Sequence, residues 1–146
     1  MGAAVGALTA PSREEVERSA TAIQQALADA NLPEALTFRI IEAAPRPIVS
    51  AADPASPMVD TVLELAPHVS LTSKSETGNG DLRFRMSLRG RLLRTSDGEA
   101  LATWWWDHEG PTATFLEWGD TDARKFRMEL ERAAQALAAQ VVKDVY

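Results

Sequence analysis

The chain contains no cysteine, which removes disulfides, thiolate metal sites and a catalytic thiol while leaving the redox compartment open. Histidine is nearly as scarce, with two residues in 146, and the spacing of His68 and His108 matches no metal-binding helix or loop. Joined by Asp107 or Glu109 they are the best metal candidate the sequence offers. The simpler reading is two solvated histidines on a sheet, so no metal and no cofactor are expected. No apolar run approaches the roughly 18 residues of a membrane span. Met1 to Ala10 is small and mildly apolar but lacks a basic leading region, so it is not a complete secretory signal. Basic charge is also in deficit: 15 Lys and Arg face 21 Asp and Glu, a net charge of −6. That balance opposes general nucleic-acid binding, although a local positive stripe remains compatible with it.

Catalytic signatures are missing as well. No serine sits in a nucleophile elbow, and no order of Ser, His and acid suggests a triad. Gly78-Asn79-Gly80 lacks both the full glycine spacing and the following helix of a phosphate cradle. The carboxylate pairs Asp107 with Glu109 and Glu117 with Asp120 could serve acid/base chemistry only if buried together. Glu117, beside a helix start, has an ordinary electrostatic role. The sequence therefore predicts no catalytic residues and a protein that is not an enzyme.

What is present is the material of an ordinary globular domain: 45% hydrophobic and 25% charged residues. A chain of this size buries roughly 68 to 70% of its extended surface, enough for a core without staples. We read residues 1–11 as a flexible leader and 12–146 as a single domain. Ser12-Arg13-Glu14-Glu15 is a capping box that starts a helix. Val16, Ala20, Ile23, Leu27 and Ala30 follow at helical spacing until Asn31 and Pro33 stop it. Leu36 to Ala43 reads as a short strand with Phe38 and Ile40 on one parity. Four prolines make 44–58 an irregular connection. Alternation returns from Val59 to Thr72, where Pro67 requires an edge, a bulge or a break. Ser73 to Asp81 joins this strand to the next, so the two form a long hairpin. His108-Glu109-Gly110-Pro111 reads as a turn, Thr112 to Trp118 as a last strand, and Asp120 or Thr121 as the cap of a closing helix. That helix carries a stripe of Phe126, Leu130, Ala133, Leu137, Val141 and Val145. The predicted fold is an α+β two-layer sandwich: a mainly antiparallel sheet of about five strands with terminal helices on one face.

The densest signal lies between Asp81 and Trp118. Leu82, Phe84, Met86, Leu88, Gly90 and Leu92 fall on one parity and Arg83, Arg85, Ser87, Arg89 and Arg91 on the other, the period of a half-buried strand. If Asp97-Gly98 makes a two-residue hairpin turn, Gly90 faces Trp105, Arg91 faces Trp104 and Arg89 faces Trp106. A longer loop with a bulge would shift that pairing. In the two-residue register Trp105 is a core residue lying over Gly90. Trp104 and Trp106 then stand on the outer face against two guanidinium groups, each pair contributing roughly 0.5 to 1 kcal/mol by cation–π contact. Trp104, Trp106, Arg89 and Arg91 thus form the candidate partner-binding surface, since Trp and Arg dominate interface hot spots. Homo-oligomerisation, or plain packing within the chain, would also cover them. An alternative is a small-ligand pocket between helices and sheet, lined by Trp105, Met86 and Phe126.

The second half, from Val59 to Tyr146, resembles a group of bacterial envelope proteins of unassigned role, many of lipoprotein type. The resemblance rests on Val59-Asp60-Thr61-Val62-Leu63-Glu64, on Leu92 to Leu101, and on Phe115-Leu116-Glu117-Trp118 with a helix ending Leu137 to Val142. It implies an envelope domain with no assigned active residues. The chain departs from that pattern in lacking a signal peptide and a lipid-bearing cysteine. A periplasmic or envelope location is expected if an export signal has been removed, and a cytoplasmic one otherwise. The function so predicted is an envelope-associated protein–protein interaction or assembly domain.

Overall fold

The computed structural model describes residues 10–45, 60–73 and 80–146. Residues 1–9 of the predicted leader, 46–58 of the connection 44–58, and 74–79 of the loop, Gly78-Asn79 included, lie outside them. The capping box is formed: the Ser12 hydroxyl accepts from the Glu15 amide at 3.2 Å, and the Glu15 carboxylate accepts from the Ser12 amide at 2.8 Å. It opens α1 (Arg13–Ala30), which buries Ser19, Ile23 and Ala26. Asn31, with φ 40°, closes α1 in the left-handed conformation that asparagine tolerates.

The chain then enters a second helix, α2 (Leu32–Ala43), where a strand was predicted from Leu36. Pro33 stops α1 but also occupies the first turn of α2, where its missing N–H is no loss. Leu32, Leu36 and Ile40 recur every four residues and are all buried. That period outweighs the Phe38/Ile40 alternation, which leaves Phe38 62% exposed.

Three strands follow, β1 (Thr61–Ser73), β2 (Asp81–Arg94) and β3 (Ala100–Thr114), in an antiparallel sheet of order β1-β2-β3. The predicted β1–β2 hairpin is present, with Glu64 opposite Arg91 and Pro67 in an edge strand. The α+β class thus holds, with three strands rather than about five among the described residues. The predicted turn at His108–Pro111 is a bulge within β3. Arg85 pairs with Glu109 and Arg83 with Thr112, so Gly110 and Pro111 together oppose Phe84. The predicted strand Thr112–Trp118 divides at Thr114, whose hydroxyl accepts from the Glu117 amide at 3.2 Å and starts α3 (Phe115–Val145). The predicted cap at Asp120 or Thr121 marks a break inside α3: Asp120 is extended, and Thr121, Asp122 and Ala123 are left-handed with φ of 48 to 58°.

Beyond the break, α3 buries Phe126, Leu130, Ala133, Leu137 and Val141, as its stripe predicted. It packs on β2 and β3, α2 also reaches β1, and α1 packs on α3. Phe84, Phe126 and Trp118 meet with ring centroids 5.6 to 6.2 Å apart. The Trp118 indole donates to the Leu82 carbonyl at 3.0 Å, pinning the start of α3 to β2. These aromatics, with Met86 and Leu88, form the core on one face of the sheet.

Candidate partner-binding face

The β2–β3 register decides which tryptophans are available. The loop between these strands has four residues, Thr95 to Gly98: the Gly98 amide donates to the Arg94 carbonyl at 2.8 Å and the Arg94 amide to the Glu99 carbonyl at 2.9 Å. Only Gly98, at φ 72°, is left-handed there. This loop moves the pairing by two residues relative to a two-residue turn, which preserves the face each side chain points to. A bulge next to it does not. Leu93 pairs with Ala100 and Leu92 with Ala102, leaving Leu101 as an extra residue. One extra residue turns the later side chains of β3, as far as the second bulge at Gly110 and Pro111, to the opposite face.

Gly90 therefore faces Trp104, Arg89 faces Trp105 and Leu88 faces Trp106. Trp106 is a core residue, 5% exposed, with its indole donating to Asp144 at 2.7 Å. Trp104 is half-buried and stacked on Trp106, centroids 6.1 Å apart and planes 11° apart. The space left by Gly90 holds an indole, but that of Trp106: a Cβ built on Gly90 would lie 2.7 Å from its ring. Trp105 is the exposed indole, at 66%, with the Arg89 guanidinium 5.7 Å from its ring centroid.

The outer face thus carries the arginines of β2 as predicted, Arg89 and Arg91 included, but Trp105 in place of Trp104 and Trp106. Two of its arginines are matched. Arg83 lies 3.2 Å from Glu109 and Arg85 3.1 Å from Asp107. The pair Asp107 and Glu109 is therefore engaged by guanidinium groups rather than buried for acid/base work. Among the described residues, neither Arg89 nor Arg91 is in an ion pair. Arg89 is flanked by Ala66 and Trp105, and Arg91 by Glu64 and Thr103.

The other candidates separate. His68 is exposed on β1, on the face of Ser87, whereas His108 is on the core side opposite Met86. The His108 Nε2 lies 2.9 Å from Glu129, a carboxylate only 4% exposed. No cluster of three or more metal-ligating side chains occurs among the described residues. Glu117 caps its helix by accepting from the Thr114 amide at 2.9 Å. Met86 and Phe126 are buried in the core, on the side of the sheet opposite Trp105, so these three do not line one pocket. The concave sites lie elsewhere. A cleft of about 520 Å³ runs between α1 and the break in α3, and a crevice of about 270 Å³ sits where α1, α2 and α3 meet.

Sequence reasoning missed the His108–Glu129 and Trp106–Asp144 contacts, which join residues 21 and 38 apart. Neither leaves a local signal, because each depends on how α3 lies over the sheet. No helix is long and apolar enough to cross a membrane among the described residues. No known protein family, characterised protein or solved structure matches the chain.

Proposed function

We propose that this is a non-enzymatic contact domain that engages a partner protein through the outer face of its sheet, with Trp105, Arg89 and Arg91 at the centre. The observation that carries this reading is the 66% exposure of Trp105 on the face that α3 does not cover. A large indole held in water beside a guanidinium supplies contact area at low entropic cost, and Trp and Arg are the commonest interface anchors. An envelope setting is part of the same proposal and rests on the resemblance of Val59 to Tyr146 alone.

The test is affinity capture from envelope and soluble extracts of the source organism, comparing wild type with Trp105→Ala. The truncated residue is outside the core, so the variant keeps its fold, which circular dichroism verifies. A protein captured by wild type and lost with Trp105→Ala is the expected result. Equal capture by both would discard this face as the contact surface. A Trp104→Ala/Trp106→Ala variant is unsuitable, because removing Trp106 opens the core.

A further inference from the structure

We infer that the segment docked on this face is an acidic, extended stretch of polypeptide, its carboxylates received by Arg89 and Arg91. The inference rests on the partner-face reading above and adds the chemistry of the occupant.

Alternate residues on one face of a strand are spaced by about 7 Å, so Arg89 and Arg91 present two guanidinium groups at the interval of side chains i and i+2 in another extended chain. Beside the arginines stand the small side chains of Ala66, opposite Arg89, and Thr103, opposite Arg91, with Glu64 across from Arg91 on β1. Trp105 forms a wall on the β3 side. The methylenes of an acidic side chain would rest on that indole while its carboxylate reaches Arg89. Arg83 and Arg85 are already matched by Glu109 and Asp107, so the unmatched positive charge is confined to this half of the face. Guanidinium groups accept carboxylates in bidentate geometry, which gives direction as well as attraction.

Charge argues against the other occupants. A second copy stacked face to face about a two-fold axis along or across the strands would set the β2 arginine column against its own image. A nucleic-acid backbone would meet Glu64, Asp107 and Glu109, which flank the arginines, on a chain of net charge −6. A short acidic segment carries its charge only where Arg89 and Arg91 receive it, whereas a nucleic-acid backbone would extend its phosphates over Glu64 as well.

The probe is a fluorescein-labelled, end-blocked peptide alternating glutamate with valine, titrated by fluorescence anisotropy. Its controls replace glutamate by glutamine, or place the glutamates side by side. Wild type is expected to bind the alternating peptide in a saturable manner and both controls more weakly. Arg89→Gln/Arg91→Gln, checked for native circular dichroism, should weaken binding by about tenfold or more, the loss expected from charge-assisted contacts. No saturable binding by wild type, or equal binding by the double variant, overturns the inference. Equal binding of the adjacent-glutamate peptide overturns the extended register. The two readings fail separately. A partner captured by wild type, lost with Trp105→Ala and retained by Arg89→Gln/Arg91→Gln leaves the contact face standing and removes its acidic occupant.

Discussion

Three consecutive tryptophans meet three environments because a strand turns its side chains alternately and one face is covered. Trp106 fills the space over Gly90 and ties β3 to α3 through Asp144. Trp106→Ala is expected to cost about 3 to 5 kcal/mol, as large aromatic truncations in cores do. Trp105→Ala should stay within about 0.5 kcal/mol of wild type, the range of surface substitutions. Urea unfolding monitored by circular dichroism checks both, and a reversed order would mean that the β2–β3 register is wrong. The buried Glu129 follows the same logic of position. Its carboxylate is 2.9 Å from His108 and 3.7 Å from Arg132, so burial is accompanied by partners.

At the scale of elements, the start of α1, the stripe of α3 and the strands β1 and β2 were legible, while α2 and the start of α3 were not. Ser12 with Glu15, and the stripe from Phe126 to Val141, act within a few residues of themselves, so the chain alone reveals them. The break in α3 was visible only as a helix start, because Asp120 is a good cap wherever a helix begins. Its three left-handed residues closely follow two tightly held ones. Gly119 is pressed against Ser19 of α1, where an added Cβ would lie 2.4 Å from the Ser19 Cβ, and Trp118 is fixed on β2. Left-handed non-glycine residues cost roughly 1 to 2 kcal/mol each. Asp122, whose side chain is 86% exposed and whose Arg127 contact is a long 4.0 Å, is the residue to relieve. Asp122→Gly is expected to raise stability by up to about 1 kcal/mol at equilibrium unfolding; a loss greater than that would show that the Asp122 side chain holds the turn.

Across the whole molecule, α1 is joined to α3 by Asp29 and Arg127 at 2.8 Å, and α2 to α3 by Arg39 and Glu131 at 3.3 Å. The Arg127 hydrogen bond, then that from Gln25, holds the Asp29 carboxyl below its ordinary value of 3.8. A lowered carboxyl stabilises the fold above its unfolded value, and that contribution is lost as the pH falls through the folded one. The stability gap between wild type and Arg127→Gln should therefore be full at neutral pH and narrow as the pH falls below 3.8. Denaturation at a series of pH values measures it, and a constant gap would mean that the charge pair contributes nothing.

The sequence by itself determined the α+β class, the capped first helix, the β1–β2 hairpin, the arginine face and the stripe of α3. These rest on periodicity and capping, which act over a few residues. Only the tertiary structure decided that Leu36 to Ala43 is helical, since Leu32, Leu36 and Ile40 gain burial by packing on α3. It also decided which tryptophan meets water. The alternation of Trp104, Trp105 and Trp106 is compatible with either face, and the choice turns on the single extra residue Leu101, accommodated where the β2–β3 ladder settles Leu88, Gly90 and Trp106 into the core. A two-residue period carries no sign, and packing supplies it.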